Sequence, residues 1–511
     1  MRKILKFLAS RLVITALFVL VQMAFLFLTI RYVENLFGLS ILGSVTGLVV
    51  CFAILSRDDA PEYKLSWILL IMFLPVFGIL MYLLFGNKKR SRRQRRRAEG
   101  YKDLMAAHSV DSFPKDVRQI SDVLNVDDVK LSRYVSGLSD SRVFGNTSAE
   151  YFPLGDECYP HMKEELEKAK SFIFMEYFIY QHGEFWDSIL EILKKKVQEG
   201  VDVRVIYDDM GSINTLPMGY YKELRSYGIK AVAFNPVHAR LNFRLNYRDH
   251  RKVCIIDGNT AFSGGINIAD EYINRTERFG HWKDNGFMIK GDGVWNYTFM
   301  FLQLWEFVAP KEFRTESFVP YAPTVSAEQD GYIQSFGDSP LDEFNVAENA
   351  YLHMINNAKD YVWISTPYLI LDSTMTNALI LAARAGVDVR IITPAVPDKK
   401  LVFALTRANY ASLLANGVKI YEYEPGFIHS KMFLSDDRNA IVGTINMDYR
   451  SFFLHFESGT IFYGGKIVSE VKKDFLETGK VCREVTQKDY EKRSKLQKFM
   501  GNICKLVAPL L

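Results

Sequence analysis

Two segments of the chain carry the same reactive side chains at the same spacing. Residues 250–267 and 429–446 both follow the pattern H-x-K-x4-D-x6-G-[GT]-x-N without a gap. In each copy the histidine and lysine lead into an apolar run typical of a strand, where positions i and i+2 project from one face. An imidazole beside an ammonium group is costly in an apolar core. It suits a phosphate, because lysine neutralises an oxygen while histidine attacks phosphorus or moves a proton.

The duplication supplies both tasks that transfer of a phosphoryl group requires. One histidine attacks phosphorus and forms a phosphohistidine, while the other protonates the leaving alcohol and then deprotonates the incoming one. The pattern is symmetric and does not say which histidine performs which task. The predicted catalytic residues are His250, Lys252, Asp257, His429, Lys431 and Asp436, and the predicted phosphate-binding or orienting residues are Asn267, Asn446, Asp284 and Glu457.

The supporting residues have different expected tasks. The pattern lysines and asparagines are predicted to hold the oxygens whose charge rises in the transition state. The pattern aspartates fall on the opposite strand parity and near turns, so we expect them to orient the site without contacting phosphorus. Asp284 and Glu457 follow their blocks at similar positions and are predicted to fix the histidine tautomers. The alternative for these two carboxylates is a pair of structural ion pairs.

A second repeated element indicates the fold that positions these residues. Residues 199–206 (EGVDVRVI) match residues 385–392 (AGVDVRII), and each follows a helical stretch preceded by a strand-like run. Strand, helix, glycine and strand form a βαβ unit. Two sets of matching elements in register predict an α/β protein with two repeats packed face to face around one shared active site.

No feature of the sequence indicates a metal or an organic cofactor. The histidines stand beside lysines and lack carboxylates at ligand spacing. The five cysteines are scattered without paired spacing, which argues against a disulfide framework or a cysteine-based zinc site. The net charge of +4 is too small to indicate nucleic-acid binding, and the basic residues cluster beside the apolar N-terminal region.

The first hundred residues read as a membrane segment. Uncharged, mostly apolar runs cover residues 12–30, 36–55 and 65–86, each near the ~20 residues that a membrane-spanning helix needs. Basic clusters flank them, and the positive-inside bias would put both clusters in the cytoplasm, which requires an even number of crossings. Two crossings plus one partial segment are favoured over three. The polybasic stretch at residues 88–97 is either a plain stop-transfer anchor or a site that concentrates anionic lipid, and the two readings are compatible.

The sequence predicts five regions. They are a membrane anchor (1–100), a linker (101–135), the first α/β repeat (136–325), the second repeat (326–485) and a basic amphipathic C-terminal helix (486–511). That last helix either lies on a membrane surface or docks on the protein.

These motifs resemble the double HKD signature of the phospholipase D superfamily, and the whole chain resembles its cardiolipin synthase branch. The likeness extends over residues 61–67, 74–78, 175–179, 208–212, 246–252, 446–452 and 508–511. It implies that two phosphatidylglycerol molecules become cardiolipin and glycerol through a phosphatidyl-histidine, with His250 as nucleophile and His429 as acid and base, and with no cofactor. The N-terminus departs from the family by an additional hydrophobic run, which bears on the topology.

The resemblance, the position of the basic clusters and the presence of both blocks in one chain together predict where the enzyme works and what it binds. Its expected partners are phosphatidylglycerol, other anionic phospholipids and the membrane, with neither nucleic acid nor an obligatory protein partner. The expected location is the bacterial cytoplasmic membrane, multi-pass, with the catalytic part facing the cytoplasm. The alternatives are a phospholipase D-type hydrolase, a phosphatidyltransferase with another acceptor, and a catalytically silent scaffold, which the two intact blocks disfavour.

Overall fold

The computed structural model describes residues 23–24, 33–57, 61–86, 124–236, 247–315, 319–341 and 344–507. The chain divides into two compact units. One comprises residues 1–90, 236–246 and 499–511, and the other comprises residues 91–235 and 247–498.

The first unit contains apolar helices of different lengths. Helix α1 is Val33–Leu55, α2 is Pro61–Phe73 and α3 is Pro75–Met81, followed by a π-helical turn, Tyr82–Gly86. The predicted apolar run 65–86 is divided after Phe73, because Pro75 lacks an N–H and cannot continue a helix without a break. Apart from residues 23 and 24, the predicted run 12–30 lies outside the described residues. No helix in the described part of the chain combines the length and the apolar character needed to cross a bilayer.

The second unit is built from two sheets with helices between and around their strands. Its strands are β1 Thr147–Phe152, β2 Phe172–Tyr177, β3 Asp202–Asp208, β4 Lys230–Phe234, β5 Arg248–Asp249, β6 Lys252–Ile256, β7 Thr260–Gly264, β8 His281–Lys283, β9 Gly286–Gly291, β10 Tyr332–Asp338, β11 Tyr361–Ser365, β12 Leu369–Ile370, β13 Asp388–Pro394, β14 Lys419–Tyr423, β15 Gly426–Ile428, β16 Met432–Ser435, β17 Asn439–Gly443, β18 Met447–Asp448, β19 His455–Tyr463 and β20 Cys482–Val485.

The remaining α-helices follow in chain order. They are α4 Val126–Ser139, α5 Gly155–Lys168, α6 Glu184–Gln198, α7 Tyr221–Ser226, α8 Val294–Val308, α9 Val346–Asn357, α10 Ser373–Arg384, α11 Lys400–Leu414, α12 Tyr449–Phe453, α13 Lys466–Lys480, α14 Gln487–Glu491 and α15 Lys495–Val507. Single 3₁₀ turns are found at Asp270–Ile273, Lys311–Phe313 and Val319–Tyr321.

The two sheets have the same strand order, which confirms the predicted repeat. The first runs β1-β9-β7-β6-β2-β3-β4, and the second runs β10-β19-β17-β16-β11-β13-β14 with β20 added at its edge. In both sheets the strand after the pattern lysine lies antiparallel to the first strand of the βαβ unit. Gly200 and Gly386 turn the helix into the following strand at φ +89° and +98°, a conformation that glycine adopts without steric cost.

An apolar core between the repeats holds the sheets face to face. Phe174 stacks on Phe301 of α8 with ring centroids 4.6 Å apart, and Phe287 of the first sheet packs edge-on against Phe462 of the second at 5.3 Å. Separate clusters lie on the outer faces of both sheets. Helix α4 packs into the outer cluster of the second repeat, although it precedes the first repeat in sequence.

Candidate active site

Two short inter-repeat strand pairs bring the reactive histidines together with the opposite half of the molecule. Strand β5 lies parallel to the start of β19, and β15 lies parallel to β8. The His250 amide donates to the Phe456 carbonyl at 2.9 Å, and the His429 amide donates to the Lys283 carbonyl at 2.7 Å. Each histidine therefore lies at the end of a strand whose partner belongs to the other repeat.

The pairing places a carboxylate of one repeat beside the imidazole of the other. Nδ1 of His250 lies 2.9 Å and 3.0 Å from the two carboxylate oxygens of Glu457. Nδ1 of His429 lies 2.6 Å from Oδ2 of Asp284. The sequence predicts both carboxylates as tautomer-fixing groups, but the crossing of the pairs comes from the structure alone.

Two buried lysines complete the polar centre. Nζ of Lys252 donates to the His250 carbonyl at 2.6 Å. Nζ of Lys431 lies 2.8 Å from Nδ1 of His429 and also donates to the His429 carbonyl. Burial lowers the pKa of Lys252 to about 8 and that of Lys431 to about 7. A bound phosphate anion would offset this desolvation and favour the charged ammonium forms.

Both imidazoles are neutral near pH 7. Burial, and then the charge of Lys252, holds the pKa of His250 well below its usual value. Burial, and then Lys431, does the same for His429. A neutral ring that donates from Nδ1 to a carboxylate keeps a lone pair on Nε2. The contacts of His250 therefore leave its Nε2 unprotonated and able to attack phosphorus. Nδ1 of His429 faces both the Asp284 carboxylate and the Lys431 ammonium, so its Nε2 can hold or accept a proton.

The two pattern aspartates accept hydrogen bonds from backbone amides. They follow β6 and β16, whereas the histidines precede these strands. Asp257 accepts three amides at the start of β2, and Asp436 accepts the corresponding amides at the start of β11; the donors are Lys170, Ser171, Phe172, Lys359, Asp360 and Tyr361. Seven residues of extended chain span about 23 Å, so neither carboxylate reaches the imidazole of its own block. The contacts give both aspartates a structural task at the start of β2 and β11, and they do not support the prediction that Asp257 and Asp436 are catalytic.

We predict that Asp436→Ala lowers the free energy of unfolding by about 3 kcal/mol, because amide groups lose a charged acceptor and the residue at φ +54° loses its tolerance of that conformation. Asp436→Asn is the matched control: it keeps an acceptor oxygen and tolerates positive φ, so the loss should be about 1 kcal/mol. Chemical denaturation measures both. An Asp436→Ala enzyme of normal stability but without turnover would show a direct role in the chemistry.

The pattern asparagines are engaged inside the protein. The side chain of Asn267 accepts from the Ile179 amide at 3.0 Å and donates to the Tyr272 hydroxyl at 2.8 Å. Asn446 hydrogen-bonds to Asp448 and helps to lower the pKa of that carboxyl, which burial raises. Because the Tyr272 ring packs against the His429 ring at 5.5 Å, Asn267 is placed to orient the site. Phosphate binding by these two amides stays a prediction.

Sequence reasoning missed the rings that surround the histidines. Phe178 packs edge-on against His250 at 5.0 Å, and His455 lies 5.3 Å from the same ring. Trp282 and Phe427 lie 5.7 and 5.9 Å from His429. His455 and Trp282 each precede a predicted carboxylate by two residues, and that shared spacing is the sequence signal that could have found them.

One group of side chains at the site has ligand atoms close enough to hold a metal ion. Among the described residues, His250, His455 and Glu457 offer atoms that all lie within 4.8 Å of one another. Glu457 already accepts from His250, and the lysines place positive charge on the same centre. These residues fit a proton-handling group better than a cation site.

Paired HKD blocks on two equivalent α/β repeats define a phospholipase D-like enzyme. A family model described as cardiolipin synthase, PLD-like domain matches residues 162–290 and 351–478, and one described as phospholipase D-nuclease N-terminal matches residues 46–87. The chain is 34% identical to a cardiolipin synthase of Geobacillus sp. over 97% of this chain and 98% of that one. It is 44% identical to an uncharacterized protein of Streptococcus mutans over 88% and 96%.

A solved structure shares the fold. The phosphatidylserine synthase of Haemophilus influenzae superposes with a TM-score of 0.57 at 17% identity and covers 75% of this chain and all of that one. The chain belongs to the cardiolipin synthase family and is an enzyme of the phosphatidyltransferase class. Membership implies phospholipid substrates and association with a membrane.

Proposed function

We propose that the enzyme transfers the phosphatidyl group of one phosphatidylglycerol to a hydroxyl of a second, giving cardiolipin and glycerol. Nε2 of His250 attacks phosphorus. His429, which burial keeps neutral in the free enzyme, takes up a proton on Nε2 when the anionic phosphate is bound, because that negative charge favours the imidazolium, and it donates this proton to the departing glycerol oxygen. The P–O bond to glycerol breaks as the P–N bond of a phosphatidyl-histidine forms. His429 then removes the proton from the incoming hydroxyl, whose oxygen displaces His250.

The crossed pairing of two neutral imidazoles with carboxylates is the observation that carries this proposal. Nδ1 of each ring lies 2.6–3.0 Å from a carboxylate oxygen of the other repeat, which fixes the orientation of both imidazoles. Lys252 and Lys431 supply the positive charge for the phosphate oxygens, whose charge rises in the transition state. Asp284 and Glu457 stabilise the imidazolium that forms when a histidine holds a proton or the phosphatidyl group.

Incubation of the purified protein with labelled phosphatidylglycerol in the presence of a chelator tests the function. We expect cardiolipin and glycerol in equal amounts, with no loss of rate when divalent ions are removed. Phosphatidic acid as the main product would mean that water is the acceptor, and that the enzyme is a hydrolase. Chelator-sensitive turnover would contradict the absence of a metal requirement.

We also propose the finer membrane arrangement and the region boundaries that the sequence predicts, except that helix α4, Val126–Ser139, crosses the predicted boundary between the linker and the first repeat. The apolar runs and the basic clusters at both ends support two crossings plus a partial segment, with the catalytic part in the cytoplasm. Leu496, Phe499 and Ile503 of α15 are exposed at helical spacing beside lysines, which supports contact of this helix with an anionic bilayer. Labelling of single engineered cysteines in intact cells tests this topology, and a basic cluster accessible from outside would contradict it.

A further inference from the structure

The two halves of the site have equivalent strand pairs, but they differ in the aromatic ring beside each histidine. Because β5 pairs with β19 as β15 pairs with β8, His455 and Trp282 occupy equivalent places, two residues before their carboxylates. The His455 ring lies 5.3 Å from that of His250, tilted by 41°, and the Trp282 ring lies 5.7 Å from that of His429, tilted by 47°. One half therefore carries an indole where the other carries a second imidazole.

The contacts of His455 fix where its proton lies. Nε of Arg450 donates to Nε2 of His455 at 3.2 Å, so that nitrogen is the acceptor. Burial lowers the pKa of His455 to about 3, which leaves the ring neutral with its single proton on Nδ1. Nδ1 lies 3.5 Å from Oε1 of Glu457, within ion-pair distance, and forms no hydrogen bond to any other described residue. The side chain is only 10% exposed, so water competes little for this N–H.

We propose that His455 is a positioning residue for His250: its Nδ1–H faces Glu457 and keeps that carboxylate turned toward the nucleophile. Thr444 donates to the other oxygen of Glu457, so the carboxylate is approached by donors on both sides. At the equivalent place the other half carries the indole of Trp282, whose single ring nitrogen forms no hydrogen bond in the part of the chain that the structure describes. The inference rests on the proposed function, in which His250 attacks phosphorus.

A cation at the same place is disfavoured by these contacts. Coordination through Nδ1 of His455 would move its proton to Nε2, against the N–H of Arg450. The nearby ammonium groups of Lys252 and Lys431 would also repel the ion. Donation of a hydrogen bond to Glu457 meets neither obstacle.

Removal of the Nδ1–H of His455 should change the pKa of His250. The charged and titratable groups that face Glu457 and His455 are His250, Lys252, Lys431, Tyr351, Asp448 and Arg450. With one donor fewer, Glu457 becomes a stronger acceptor and stabilises the protonated form of His250. The pKa of His250 then rises, so the unprotonated nucleophile is lost at a higher pH than in the parent enzyme.

Steady-state kinetics of the full-length enzyme on phosphatidylglycerol in mixed micelles test the proposal. His455→Phe keeps a ring and removes the N–H; we expect kcat to fall about tenfold, KM to change less than twofold, and the acid limb of kcat/KM to move up by about half a pH unit. His455→Asn places an N–H near the Nδ1 position and should recover most of both effects. His455→Gln places its N–H near the Nε2 position and should not.

The comparison of His455→Asn with His455→Gln tests the role of the Nδ1–H even if His455→Phe folds poorly. His182→Phe, on an exposed loop, is the control for replacing an imidazole by a benzene ring. Equal losses in the asparagine and glutamine variants, or a fall in kcat without a shift of the acid limb, would overturn the proposal and leave His455 as packing. Failure of the unsubstituted enzyme to form cardiolipin would refute the proposed function. The assay of the parent enzyme shows this outcome independently of the His455 variants.

Discussion

Replacement of either pattern histidine by alanine should lower turnover of phosphatidylglycerol by about 10,000-fold or more. Without His250 no phosphatidyl-enzyme forms, and without His429 neither the leaving nor the incoming oxygen exchanges its proton. Groups that act as one unit lose nearly all of their effect when one member is removed. Labelled-lipid assays measure the loss, and His182→Ala, whose ring pairs with Asp187 on the surface, should stay within twofold of the parent enzyme.

An activated substrate separates the two tasks. A phosphatidyl ester of p-nitrophenol has a leaving group that needs no general acid, so His429→Ala should release nitrophenol at a measurable rate while His250→Ala should not. If the phosphatidyl group of this ester is labelled, the label should then accumulate on the His429→Ala protein, because transfer to the incoming hydroxyl lacks a base. Label trapped on His250→Ala would reverse the assignment, and substantial cardiolipin formation by either variant would refute the two-histidine mechanism.

The fold could be predicted because its signals repeat. The pattern blocks and the GVDVR segments each occur twice at matching places, and strand alternation follows from a period of two. That information suffices for the two equivalent sheets, including β2, β6, β11 and β16. The similar placement of Asp284 and Glu457 after their blocks also brought both carboxylates into the predicted set.

The crossing between repeats could not be predicted, because it depends on very short strands. β5 pairs with β19 over two residues separated by about two hundred positions in the chain, and such a pair leaves no local pattern. The same pairing creates the place of His455 beside His250. Asp257 and Asp436 belong to the motif by spacing, but only the structure shows that they accept backbone amides.

Amide replacements of the two carboxylates should lower kcat by about 100-fold to 1,000-fold. Asp284→Asn and Glu457→Gln keep the shape of each side chain but lose the charge that stabilises an imidazolium. An amide can also present its NH₂ to Nδ1 and force the wrong tautomer. The steady-state assay on phosphatidylglycerol measures both variants, with the exposed Glu477→Gln as the control.

The crossed geometry predicts which of these variants an activated leaving group rescues. Asp284 lies in the first repeat but binds His429 of the second. Asp284→Asn should therefore impair the general acid, and the nitrophenyl ester, which needs no acid, should restore formation of the phosphatidyl-enzyme. Glu457 holds the nucleophile, so Glu457→Gln should stay slow with the same ester. If each carboxylate instead served the histidine of its own repeat, the two results would be exchanged. Rescue of Asp284→Asn alone is therefore the outcome that only the inter-repeat pairing explains.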